Sequence, residues 1–325
     1  MRRVAHFAIA AAVLSSATSL SAIAETRSIA LPGLRAFPES LTSTGDGTLF
    51  VGRLGDGGIV RANARSGEVA VFVPPGASES RSISGVFADE RANTLWACSN
   101  DLSALGGPSG SDDSRSALKG FDLRTGATKR SVPLPGAHAF CNDIAVDARG
   151  AIYVTDSAGP NILRLTAGAS TFEVFASSPR FSPPEGGIGL DGIAFGRDGN
   201  VYVTTYTAGG LFRVDVKGGR ADGVTKLHGS SPLTHPDALR PLGENSFLLI
   251  EGSGTLDRVN ITGDAFAAVT IRGGFREPTS VTLVESTAWV SEGQLAFFFD
   301  PARRKSSPSL PFRIYAVPLV GDQTR

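Results

Sequence analysis

A unit of about 45 residues recurs along the sequence, and no other feature limits the fold as tightly. Three copies align closely: Glu39-SLTSTGDGTLFVG, Asn142-DIAVDARGAIYVTD and Asp191-GIAFGRDGNVYVTT. Each carries a polar residue, an alternating apolar stretch, a turn and a second apolar stretch. Asp46-Gly47, Arg149-Gly150 and Asp198-Gly199 share the turn slot. A glycine there supplies the positive φ that a tight hairpin needs. Looser copies begin at Ser84, Asp237 and Thr279, so the equivalent polar positions are spaced by 45, 58, 49, 46 and 42 residues.

Every unit continues into a third strand of one form, as in Gly58-IVRA, Asn161-ILRLT, Gly210-LFRVD and Thr255-LDRVN. Most add a fourth, such as Glu68-VAVFV or Phe172-EVFA. Four short strands per repeat, with no amphipathic helix between them, make the blade of a β-propeller. Six units predict an all-β, six-bladed ring. Glycine, at 39 of 325 residues against a usual share of about 7%, fits the many turns this requires. The sixth unit stops after its third strand near Leu319, and Thr26-RSIALPGL near the start reads like the outer strand Lys129-RSVPLPGA. The N-terminal strand is therefore expected to complete the last blade and remove a free sheet edge. A domain boundary would cut this ring, which predicts a single domain over residues 25–325. The 58-residue step marks an insertion at residues 102–117, read as a loop over one face.

Residues 1–24 carry Arg2 and Arg3, an apolar run from Phe7 to Leu14 and an Ala22-Ile-Ala24 cleavage pattern, the form of a cleaved export signal. Serines and a threonine interrupt the run, which argues against a membrane anchor. A periplasmic or secreted, monomeric protein is expected, with no membrane attachment after cleavage. The 31 basic and 31 acidic residues balance, which gives no basis for a nucleic-acid partner. Cys98 and Cys141 belong at the same face of neighbouring blades. They can form a disulfide in an oxidising compartment or stay as two buried thiols.

Chemistry gathers at the six equivalent polar positions, Glu39, Ser84, Asn142, Asp191, Asp237 and Thr279. Each is expected just before the innermost strand of its blade, so all six converge on one mouth of the central channel. Any single Asp or Asn there can simply cap a strand or bind loop amides. Three carboxylates and an amide together favour a hard divalent cation, Ca²⁺ first, with Zn²⁺, Mn²⁺ or Mg²⁺ as alternatives. The metal candidates are Glu39, Asn142, Asp191 and Asp237. Gly187-IGLD-Gly192 matches a dinucleotide-binding pattern but leads into a strand, so that use is set aside. His138 and His235 lie near the mouth and read first as solvated turn residues, with a substrate contact as the alternative; Glu251 and Glu292 end second strands on the same face, where they either shape the pocket or stay solvated.

At this point the sequence resembles the six-bladed lactonases related to gluconolactonase and the senescence marker protein regucalcin. The likeness is strongest in Phe140-CNDIAVDARGAIYVTDS, Leu190-DGIAFGRDGNVYVTTY and His235-PDAL. It implies that Glu39 and Asp237 are metal-bound carboxylates, that Asp191 replaces the family's ligand Asn, and that Asn142 faces the substrate. Phe140 stands where the family has a substrate-gripping Arg, which turns the expectation from a sugar acid towards a less polar molecule. The implied activity is metal-assisted hydrolysis of a small lactone or ester, with Asp237 or Asp191 as the base. Phe140, Asn142, Ser84 and Thr279 are the expected substrate contacts. The competing reading is a non-catalytic propeller that binds a ligand or protein on its loop face.

Overall fold

Six small antiparallel sheets follow one another along the chain, one per repeat. The structure, a computed structural model, describes residues 27–108 and 116–319; the proposed export signal at residues 1–24 lies outside the described residues. The first blade runs outward through Pro38–Ser43, Thr48–Arg53, Ile59–Asn63 and Val69–Val73. The innermost strands of the next five are Ser82–Asp89, Cys141–Val146, Leu190–Phe195, Pro236–Pro241 and Pro278–Val284. The result is the six-bladed propeller expected from the repeat. Gly47, Gly150 and Gly199, the hairpin glycines, all take positive φ.

Both faces of every blade are covered, so the second strands read as almost unbroken apolar runs instead of alternating ones. Thr48–Arg53 illustrates this. Leu49 and Val51 point into a cluster shared with the sixth blade through Trp289 and Ile314, while Phe50 points into one shared with Ile83 and Leu95 of the second. The period-2 geometry of a strand sends neighbouring residues to opposite faces. Six such clusters fill the six blade-to-blade seams. Cys98 and Cys141 join two adjacent blades as a disulfide, with Cα atoms 5.2 Å apart.

The ring closes as the terminal strands require. Ser28–Ala30 pairs antiparallel with Arg313–Pro318, placing Ser28 opposite Tyr315 and Ala30 opposite Arg313. The last blade thus takes three strands from one end of the chain and one from the other. Two features lie outside the repeat. His228–Gly229 adds a short parallel strand to the outer edge of the fifth blade. A long excursion between the second and third strands of the sixth blade carries the four-residue helix Ala296–Phe299. Among the described residues no helix is long and apolar enough to cross a membrane.

Ile29 in the closing strand is buried, 3% exposed, in the seam between the last and first blades. Ile29→Ala is expected to lower unfolding free energy by about 2–4 kcal/mol in a denaturant titration. A loss under about 0.5 kcal/mol would mean the strand does not hold the ring shut.

Candidate active site

A β-bulge interrupts the pairing of every innermost strand at its channel end. The register shifts fall between Pro38 and Ser40, Ile83 and Val86, Cys141 and Ile144, Leu190 and Ile193, Pro236 and Leu239, and Pro278 and Ser280. Glu39, Ser84, Asn142, Asp191, Asp237 and Thr279 all sit inside these bulges. They lie within the strands, not just before them as the sequence led us to expect. The correction has a physical reason: an unpaired extra residue bends the strand and re-aims its side chain. An alternating pattern read along a sequence carries no mark of that extra residue.

Hydroxyl groups lock neighbouring bulges together. Asp143 N–H donates to Thr155 Oγ1 (3.0 Å), which donates in turn to the Asp191 carbonyl (2.6 Å). One blade further on, Gly192 N–H donates to Thr204 Oγ1 (2.8 Å), which donates to the Asp237 carbonyl (3.0 Å). Gly192 is needed because a Cβ there would stand 2.4 Å from that carbonyl oxygen. Ser84 and Thr279 serve the same packing. Ser84 Oγ donates to the Cys141 carbonyl and accepts from Asn100, and Thr279 Oγ1 donates to the Pro38 carbonyl. Three residues just ahead of the bulges, Phe37, His235 and Glu277, are held at positive φ, each before a proline. Such backbone strain gathers where side chains must be aimed.

Above the bulges opens a cavity of about 770 Å³. Glu39, Asn142, Asp191 and Asp237 line it together, and Phe140 and Thr279 are also in its wall. Ser84 is not among the lining residues. Tyr206 and Glu277, which the repeat did not single out, line it too, as does His235, which had been read as a solvated turn. The Tyr206 and His235 rings stack at 4.8 Å. His138 is exposed and outside the cavity.

The acids are buried and close. Asp191 and Asp237 are 5% and 7% exposed and act on each other's ionisation, and Asn142, which donates to Ser157 Oγ (2.8 Å), favours the Asp191 carboxylate. Burial, then the Asp143 charge, raises the Asp191 carboxyl to about 7. Burial and the charges of Asp191 and Glu39 push Asp237 up strongly, and burial with Asp191 and Asp143 does the same to Glu39. Two carboxyls this close cannot both ionise without large cost, so the Asp191–Asp237 pair holds a shared proton. Among the described residues no three or more His, Cys, Asp or Glu side chains stand as a ready-made metal cage.

The nearest compensating charge is Arg240. It grips Asp143 with both nitrogens, at 2.7 and 2.9 Å, and its Nη1 also donates to the Leu239 carbonyl (2.8 Å). Asp143 takes a further bond from Ile193 N–H (3.0 Å), so this ion pair ties the third, fourth and fifth blades across the channel. Arg240 stands in the repeat where the third and fourth blades have Ala145 and Ala194. That departure was the available sequence signal for it.

No family model matches the chain, and no curated protein matches it in sequence. Solved structures match its fold. The allergen Mala s 1 of Malassezia sympodialis aligns over 89% of this chain and 95% of its own, with TM-score 0.66 and 16% identity. A gluconolactonase-family propeller aligns over 91% and 93%, with TM-score 0.65 and 12% identity. Virginiamycin B lyase from Staphylococcus aureus aligns over 91% and 99%, with TM-score 0.59 and 14% identity. At these identities the likeness is one of fold.

The raised carboxyls give stability a definite pH slope. In the unfolded chain these groups ionise near pH 4. The native protein keeps a proton on Asp191 that the unfolded chain has released, so that residue's contribution is complete below about pH 4 and is lost as pH rises through about 7. In metal-chelated protein, melting temperature should fall across that window more steeply for the natural chain than for Asp191→Asn. Equal slopes would contradict the assignment.

Proposed function

We propose that the chain is an exported hydrolase of lactones or related esters that works with a divalent cation in its channel. The observation that carries this reading is the gathering of Glu39, Asp191, Asp237 and Asn142 on one cavity wall, with no lysine or arginine among the residues that line it. By residue type the donors suit a hard cation, three carboxyls and an amide oxygen without sulfur or imidazole in the cluster, and binding would draw together side chains that do not stand as a ready-made cage. Glu39, Asp191 and Asp237 would hold the ion, with Asn142 beside them. When bound, such a cation supplies positive charge that polarises an ester carbonyl.

The residues of the chain account for the proton movements. A carboxylate of the Asp191–Asp237 pair accepts a proton from the attacking water as the water oxygen bonds to the carbonyl carbon. The bond from that carbon to the ring oxygen then breaks, and the departing alkoxide takes the proton back. The products are the hydroxyl and carboxyl ends of one hydroxy acid. Asn142, fixed by Ser157, keeps Asp191 oriented. Burial and then the Asp237 and Asp191 charges hold the Tyr206 phenol far above its ordinary range, so it stays a hydrogen-bond donor towards a substrate oxygen. Gly252 leaves it room, since a Cβ there would lie 2.9 Å from that hydroxyl. Fold relatives of gluconolactonase and lyase type support an enzyme of this general kind.

Asp237→Ala should remove lactone hydrolysis, lowering kcat/KM by at least about a hundredfold, as loss of an acid–base group does. The check is an ester and lactone panel assayed with Ca²⁺, Zn²⁺, Mn²⁺ and Mg²⁺ in turn. Hydrolysis by Asp237→Ala at the natural rate, or no hydrolysis of any member by the natural chain, would overturn the proposal.

A further inference from the structure

Besides the acids, the cavity has an apolar part of its lining, and half of the residues that form it come from outside the repeat. Leu54, Phe140, Ile188, Leu295, Ala296 and Phe299 form it. Three of these belong to the sixth-blade excursion, which is pinned on several sides. Phe298 is fully buried and meets Phe37 edge-on at 5.4 Å, leaving the adjacent Phe299 at the cavity. Glu277 accepts the Ala296 N–H (2.8 Å) and pairs with Arg303 (2.9 Å), and Arg304 donates to the Phe298 and Phe299 carbonyls. Ile188, 37% exposed, extends this apolar lining towards solvent.

Electrostatics narrow the occupant further. No lysine or arginine lines the cavity, and two guanidiniums beside its acids are already paired, Arg240 with Asp143 and Arg303 with Glu277. An anionic carboxylate or phosphate would meet several acids with no cation of the chain to receive it. A polyhydroxylated sugar lactone would leave those hydroxyls that face Phe140, Leu295 and Phe299 without partners, although Ser157, Tyr206 and Glu277 could take others. We infer that the substrate is a neutral lactone or ester with an apolar alkyl or aryl substituent, its carbonyl towards the Asp191–Asp237 pair and its substituent against the sixth-blade wall. This rests on the hydrolase reading above and adds the substrate class.

Ketone isosteres test it without turnover. Calorimetric titration of the natural chain in Ca²⁺ with 2-heptylcyclopentanone and with cyclopentanone isolates the substituent. The heptyl compound should bind at least about thirtyfold more tightly, since several methylenes leave water. Phe299→Glu and, separately, Leu295→Asn should each remove most of that difference while thermal melting confirms folding. Equal affinity for the two ketones, or an advantage unchanged in both folded variants, overturns the inference. So does tighter binding of a polyhydroxylated or an amine-bearing cyclopentanone. Lactone hydrolysis alongside such a result leaves the hydrolase reading standing. Selective heptyl binding with no hydrolysis of any lactone instead retains the ligand class and removes the reaction.

Discussion

Three carboxyl groups, Glu39, Asp191 and Asp237, are held side by side against their own repulsion and away from water. Left to itself, a chain would relieve this by moving the groups apart or into solvent. The ring prevents it. Each acid is aimed by a bulge, each bulge is fastened to the next by a buried hydroxyl such as Thr155 or Thr204, and the ring is shut by a strand from the far end of the sequence. The energy that opposes the repulsion comes from the six apolar seams, remote from the acids. What the site retains is a set of protonated or partly protonated carboxyls, ready to exchange a proton or to accept a cation.

The Asp143–Arg240 pair shows how selectively charge is handled here. A guanidinium in the channel could have neutralised the acid cluster directly. Instead two of its nitrogens are bound by one aspartate, which satisfies the buried ion pair internally and leaves Glu39, Asp191 and Asp237 without a salt bridge of their own among the described residues. The cavity therefore combines an acidic wall, an apolar wall and no free cation from the chain. That combination is what the proposed ion and neutral substrate rest on.

Much of this was legible in the sequence because propeller blades repeat. The alignment of Glu39, Asn142, Asp191 and Asp237 already put them at one mouth, and the likeness of Thr26-RSIALPGL to an outer strand already implied closure. Other parts were hidden for identifiable reasons. The bulges leave no trace in an apolar–polar pattern, so nothing in the sequence marked Asp143 as sharing a bulge with Asn142. Ser84 and Thr279 occupy site positions in the repeat, yet their hydroxyls are bound to main-chain carbonyls of the next blade. Tyr206 follows the last aligned residue of its repeat. Leu295 and Phe299 lie in an irregular excursion that no repeat predicts, and chain positions between aligned segments carry no address until the fold supplies one.

The most direct test of the central claim, that the converging acids form one cation site, is a calorimetric titration with Ca²⁺, Zn²⁺ and Mn²⁺. It should compare the natural chain with the folded Asp191→Asn/Asp237→Asn double variant. The account predicts one ion bound per natural chain and none by the double variant. Absence of binding by the natural chain, or equal binding by the double variant, would contradict it.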